Sequence, residues 1–200
     1  MAFDTNTEIG IKIRRREGEQ LAVVRWPTDE EWAERMKGWR ITIHRLGRGV
    51  SETDVESGAA DLALYQKIRT PDSPDLAPEE ASKVIGDIGR CDIDDVLLGM
   101  DTATVEMTVY GKQTVKHILR IPTTAEVTQF KRGSSRVMDM PHNRQQIRTN
   151  LLAGAKLWEA CHESHEGYVN GVPVMHQDAA IRAVLDKCET AAEAGKDEDF

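Results

Sequence analysis

Two hundred residues, 40% of them hydrophobic and 30% charged, suit one globular domain or two small ones sharing a core. No run approaches the ~20 apolar residues of a membrane span. The opening MAFDTNTEIG lacks a basic and an apolar region, so a mature cytosolic start is expected rather than a signal peptide. The formal charge of −8 argues against general nucleic-acid affinity. Three widely spaced cysteines, Cys91, Cys161 and Cys188, argue for a reducing compartment and against a disulfide framework.

In chain order, EIGIKIRR and LAVVRW flank REGEQ, two β-branched-rich runs around a polar turn, which predicts a hairpin. The next phrase is RWPTDEEW. Thr28 and Glu31 form a capping box, in which the threonine oxygen accepts from the amide of Glu31 and the glutamate reaches back. Pro27 cannot continue a strand ladder, and Gly38 suits the left-handed residue that ends a short helix.

A further 95 residues on, the wording returns. ATVEMTVY and TVKHILRI flank GKQ, followed by PTTAE with Thr123 and Glu126 as the box and Gly133 as the stop. Arg25 aligns with Arg120, Pro27 with Pro122, Glu31 with Glu126 and Gly38 with Gly133. The spacing therefore predicts two related ββα units. Capping does not explain Arg25 and Arg120, which are expected as solvent-side strand residues.

RITIHRLGRG reads as one more strand, and AADLALYQKIR as a helix with Leu62, Tyr65 and Ile68 on one face. TPDSPDLAP, with three prolines, reads as a linker. Pro78 then opens a helix that stops at Gly89. DDVLLGMDTATVEMTVYGKQTVKHILRIP reads as a three-strand meander. SSRVMDMPH reads as irregular. The longest helix is expected from about Asn143 to His165, striped by Ile147, Leu151, Ala155, Trp158 and His162. GYVNGVPVM is expected as a loop or tight hairpin, and QDAAIRAVLDKCETAA as the last helix.

The fold class is α+β: two related ββα units, each an antiparallel hairpin plus a capped helix, with additional C-terminal helices. The organisation is 1–70, a ββα unit with an extra strand and helix; 71–78, a Pro-rich linker; 79–193, the second meander and helices; and 194–200, an acidic frayed tail.

Sites are sparse. In CHESHE, His162 and His165 are three apart, but zinc needs about four converging ligands and no third partner is evident. RLGRG lacks the Lys-Ser/Thr of a phosphate loop, and CDIDD lacks the twelve-residue calcium rhythm. No catalytic, cofactor-binding or metal residue is assigned. Charge is uneven: Ile11 to Arg48 holds ten Lys or Arg against six Asp or Glu, a local +4. Arg14, Arg15, Arg16, Arg40, Arg45 and Arg48 are the candidate partner-binding residues, expected to share one sheet edge or face, since arginine suits bidentate recognition of carboxylates. A two-signed surface fits head-to-tail self-contact or docking on a charged partner.

Two hairpins each leading into a P-T-x-x-E helix, then a helical half with a polar tail, resemble the small proteins encoded among tailed-phage virion genes. RWPTDEEW in particular looks like the junction of tail-assembly-chaperone-type and related tail proteins. The resemblance implies a non-enzymatic tail assembly or tail structural role through protein–protein contacts. Its partners would be other tail proteins of tape-measure or tube type, or a second copy in a homo-oligomer, with neither nucleic acid nor membrane. It places the chain in the host cytoplasm or the virion. The other readings are a metal-binding protein or enzyme using Cys161–His165, and a small regulatory binding module.

Overall fold

A computed structural model describes residues 2–16, 18–47, 50–110, 112–142 and 144–197. Among them six helices and ten strands, 41% helix and 38% strand, form an α+β protein with antiparallel sheets. The first run of elements is β1 (Ile9–Arg15), β2 (Gly18–Val24), α1 (Asp29–Gly38), β3 (Arg40–Gly47), β4 (Val50–Glu56), α2 (Gly58–Ile68) and α3 (Pro78–Ile88). The second is β5 (Cys91–Leu98), β6 (Thr102–Val109), β7 (Gln113–Arg120), α4 (Thr124–Ser134), β8 (Ser135–Met140), β9 (Arg144–Thr149), α5 (Leu151–Cys161), β10 (His162–Glu166) and α6 (Val174–Asp197). The order hairpin, capped helix, hairpin, helix thus occurs twice. The chain divides into two compact units: unit 1 is Met1–Asp4, Arg90–Ser134 and Leu151–Phe200; unit 2 is Thr5–Gly89 and Ser135–Asn150.

In unit 2 the β1–β2 hairpin alternates at period two: Ile9, Ile11 and Ile13 are buried while Gly10, Lys12 and Arg14 are exposed. A lone hairpin is marginal in water, so its apolar face needs a cover. Helix α3 supplies one with Ala81, Val84, Ile85 and Ile88, all buried at i, i+3, i+4 and i+7 spacing. Each such aliphatic side chain contributes roughly 1.5–3 kcal/mol of burial. Trp32, Tyr65 and Ile68 are fully enclosed nearby in the same unit. The Pro-rich stretch 71–78 is tied into unit 2. Ser73 Oγ accepts from the Val23 amide at 2.9 Å and donates to the Val23 carbonyl at 2.7 Å, and the Tyr65 hydroxyl donates to the Pro74 carbonyl at 2.7 Å.

Gly38 and Gly133 do not end their helices in the left-handed region; each is the last or near-last helical residue with an ordinary φ. The reason for glycine at Gly38 is close approach. A Cβ there would stand 2.7 Å from the Ala60 Cβ on α2, and at Gly133 3.6 Å from the Ala153 Cβ on α5.

Unit 1 is built on the sheet β10-β7-β6-β5. Ala103, Val105, Met107 and Val109 of β6 and Val115, His117 and Leu119 of β7 turn to the buried face. Leu157, Trp158 and Cys161 of α5 and Ala180, Ile181, Val184 and Leu185 of α6 complete that core. The long helix expected over 143–165 is divided. β9 precedes α5, and His162–Glu166 leave the helix to pair antiparallel with β7, His165 opposite His117. The sheet edge satisfies backbone groups that a further helical turn would have bonded locally. SSRVMDMPH, expected as irregular, contributes strand β8. Helix α6 starts at Val174, inside the stretch expected as a loop, and takes in 194–197 of the expected tail; residues 198–200 lie outside the described residues. No helix of the described residues is long and apolar enough to cross a membrane.

Candidate interaction surface

Both strand-to-helix junctions carry the same clamp. The Thr28 hydroxyl accepts from the Glu31 amide at 3.2 Å while the Glu31 carboxylate accepts from the Thr28 amide at 2.9 Å. At the second junction the corresponding distances are 3.4 and 2.8 Å, through Thr123 and Glu126. Arg25 donates both guanidinium nitrogens to Glu31 at 2.8 and 2.7 Å and reaches toward the Lys67 carbonyl at 3.5 Å. Arg120 does the same to Glu126 at 3.1 and 2.8 Å and to the Ala160 carbonyl at 3.1 Å. These arginines are therefore more than solvent-side strand residues. Each ties a strand, a helix cap and the last turn of a later helix. The bidentate hydrogen bonds lower the pKa of Glu31 and bring that of Glu126 down to about 2.

The arginines singled out as a partner-binding set are spread over two sheets. Arg14 and Arg15 lie on β1, with Arg16 in the turn after it. Arg15 is half-buried against Glu80 of α3 at 2.7 Å, a contact that lowers the Glu80 pKa to about 2. Arg14 pairs with Glu19 across its own hairpin at 3.3 Å. Arg40 and Arg45 lie on β3, on opposite faces, and Arg45 donates to Gln145 at 2.8 Å. Arg48 lies outside the described residues. The set does not share one edge or face, because β1 pairs only with β2 and β3 belongs to another sheet.

That other sheet, β4-β3-β9-β8, is the feature the sequence did not disclose. Two hairpins about a hundred residues apart meet through β3 and β9, with Ile41 opposite Ile147 and His44 opposite Arg144. Every residue from Ser51 to Glu56 is exposed, and β8 is exposed except at Met138. Among the described residues no strand pairs with the outer edge of β4 or of β8.

The register sorts its side chains. On one face β4 places Glu52, Asp54 and Glu56; β3 places Arg40, Thr42 and His44; β9 places Arg144, Gln146 and Arg148; and β8 places Arg136, Met138 and Met140. This face carries three acids on the β4 edge, Arg40, Arg144 and Arg148 on the two inner strands, and Arg136 on the β8 edge. On the opposite face Val55, Ile41, Ile147 and Val137 stand in one row across all four strands, with Val55 55% and Val137 54% exposed.

CHESHE does not continue the helix of α5, since His162–Glu166 form β10. Cys161 is buried at the end of α5, where burial pushes its thiol pKa up. His162 stacks on Trp158, ring centroids 4.1 Å apart, and its Nε2 lies 3.2 Å from His165 Nδ1. Behind them is a group no sequence motif marked. His117 Nε2 lies 3.1 Å from the Tyr168 hydroxyl, which lies 3.1 Å from His176 Nδ1. Both histidines are fully buried. Burial lowers their pKa values to about 4 for His117 and about 3 for His176, and raises that of Tyr168. The hydroxyl can donate to only one imidazole and must accept from the other, so two neutral rings here take complementary tautomers. Among the described residues no group of three or more His, Cys, Asp or Glu is placed to hold a metal ion.

Comparison with protein-family models, with curated proteins and with solved structures finds no match for the chain.

Proposed function

We propose that this chain is a non-enzymatic phage or prophage tail assembly or tail structural protein that acts through protein–protein contacts. The observation that carries the reading is the β4-β3-β9-β8 sheet, exposed over most of both faces and open at both edges. Unpaired strand edges are templates for another chain and are normally kept short or covered. Here each edge strand is six or seven residues long and carries an outward-facing valine. Such a surface suits docking by strand addition, in which main-chain hydrogen bonds give affinity and alternate side chains give specificity. The partners are other tail proteins of tape-measure or tube type, or a second copy. The protein would work in the host cytoplasm or remain in the virion, without binding nucleic acid or membrane.

The test is disruption of the gene in the phage or prophage that carries it, followed by electron microscopy of the particles released on induction. The reading expects heads without tails, or tails of aberrant length, restored by the gene supplied in trans. Normal tailed, infectious particles would overturn it.

A further inference from the structure

We propose that copies of this chain join head to tail by pairing the β8 edge of one with the β4 edge of the next, extending the β4-β3-β9-β8 sheet from molecule to molecule. The inference rests on the reading of the chain as an assembly protein and names the surface it uses.

Three features of the sheet point to this partner. The first is strand polarity. Each neighbouring pair is antiparallel, so β4 and β8 of one copy run in opposite directions. A second copy carried along the sheet in the same orientation therefore presents its β4 antiparallel to the first copy's β8. That is the more favourable ladder.

The second is charge. Glu52, Asp54 and Glu56 line one edge, and on the same face the far edge holds Arg136, directly opposite Arg148. Like charges opposite each other on adjacent strands are unfavourable, and opposite charges contribute ~0.2–1 kcal/mol per pair. Among the described residues none of Glu52, Glu56, Arg136 and Arg148 forms an ion pair. A neighbouring acidic edge would relieve the Arg136–Arg148 juxtaposition. Two acidic edges brought together, as in a two-fold β4–β4 contact, would repel.

The third is register. One alignment places Val137 of the first copy opposite Val55 of the second. The same alignment sets Arg136 opposite Glu56, Met138 opposite Asp54 and Asp139 opposite Thr53. Thus the single register that continues the row Val55–Ile41–Ile147–Val137 into the next molecule also sets Arg136 against Glu56. A shift of one residue would put each valine against the wrong face of its neighbour. Edge protection by charge explains the acids on β4. It does not explain a valine at the matching position on both edges. A contact between two different edges is heterologous, so it generates a ring or an open helical array, and sheet twist sets the turn between copies.

The experiment is sedimentation velocity of the full-length chain over a concentration series at low salt and at about 1 M salt, where screening reaches down to about 3 Å. Wild-type protein is expected to form species larger than dimers, weakened by salt. Arg136→Glu and Glu56→Arg should each weaken association about five-fold, within the range for reversing one cross-strand pair. Mixed one to one, the two variants should recover wild-type assembly, because every contact in an alternating chain is then Arg–Glu or Glu–Arg. Val137→Lys should weaken association in a way salt does not reproduce.

All three positions are exposed, and unchanged circular dichroism would show that the fold is kept. A monomer at every concentration would overturn the proposal. So would a dimer that grows no further, which would signify a two-fold contact, or an assembly indifferent to all three substitutions. These results concern purified protein, so they can fail while tail formation still requires the gene, and the reverse.

Discussion

Each unit holds a buried carboxylate beside the helix that faces its capped junction, but in two different ways. In unit 2 Asp61 of α2 is 1% exposed and is bound at 2.6 Å by Arg35 of α1. In unit 1 the matching stretch of α5 offers Gly154, and the space over it is filled by Asp178 of α6, held at 2.8 Å by Arg182. Around these sites the frames agree: the same cap, the same arginine fork and a glycine set against an alanine of the facing helix, though closer at Gly38 than at Gly133. What recurs is therefore backbone geometry. The buried polar groups differ. Unit 2 uses a charged pair. Unit 1 adds the neutral His117–Tyr168–His176 series, and that difference should separate the units when acid is added.

The largest expected effect follows from it. His117 and His176 have folded-state pKa values of about 4 and about 3, below the ordinary 6.5. The unfolded chain then binds more protons at any pH between those values, so stability falls as pH drops below about 6.5 and continues to fall to about 4 and beyond. For His117 alone the loss is on the order of 3 kcal/mol. Its surroundings are His162 and His165 on β10 or its approach, Trp158 on α5, and Tyr168. Asp178, whose pKa burial raises, opposes the trend. Unit 2 depends instead on carboxylates such as Glu31 and Glu80, lowered by their arginines, which lose their contribution only below about 4.5. Trp26, Trp32 and Trp39 lie in unit 2 and Trp158 in unit 1. In a titration followed by the indole N–H resonances, Trp158 should lose its native position at a higher pH than Trp32. Simultaneous loss of all four would show that the histidines do not distinguish the units.

Glycine substitutions give the next effect. At Gly154 an added Cβ would stand 1.9 Å from Asp178 Oδ1, so Gly154→Ala must displace a buried carboxylate from Arg182. Overpacking of this kind costs ~1–3 kcal/mol, against a helix-propensity gain of ~1 kcal/mol. A net loss of up to about 2 kcal/mol is expected in urea melts. Gly38→Ala, with Ala60 Cβ at 2.7 Å, should also destabilise, whereas Gly133→Ala meets Ala153 at an ordinary 3.6 Å and should be neutral or stabilising. Equal responses at Gly38 and Gly133 would mean the two junctions are packed alike.

A smaller effect distinguishes the caps themselves. Thr28→Ala and Thr123→Ala should each cost roughly 0.5–2 kcal/mol. The Thr28 hydroxyl accepts from the Glu31 amide at 3.2 Å, whereas the Thr123 hydroxyl accepts from the Glu126 amide at 3.4 Å and also donates to the Glu126 carboxylate at 2.8 Å, so the second loss should be at least as large. Thermal melts showing no loss at either site would remove the cap from the account.

Local signals were legible in the sequence wherever the physics is local. Thr28 with Glu31, Thr123 with Glu126, Pro78 at a helix start and the alternation of Ile9, Ile11 and Ile13 all act within a few residues of themselves. The arginine forks to Glu31 and Glu126, six residues on, do not follow from strand alternation, which reads Arg25 and Arg120 as solvent-side, and the carbonyls they also reach, at Lys67 and Ala160, come about forty residues later. The β8–β9 hairpin was missed because a sheet exposed on both faces has no apolar alternation. Ile147, Leu151, Ala155 and Trp158 then imitated one helical stripe across what is a strand and a separate helix. His162–Glu166 looked like a helix end because its partner, β7, lies more than forty residues away. The candidate surface is defined only by such distant pairings, which is why the arginine set drawn from charge alone fell on two different sheets.

Hydrogen–deuterium exchange as a function of protein concentration tests most directly the claim that the four-stranded sheet is the working surface. In dilute protein the outward amides of β4 and β8 have no partner strand and should exchange fast. At concentrations where the chain associates, those amides in Ser51–Glu56 and Ser135–Met140 should become protected, while β1, β2 and α6 remain unchanged. Protection that arises on α6 or on the β1–β2 hairpin, with β4 and β8 still exchanging freely, would contradict the account.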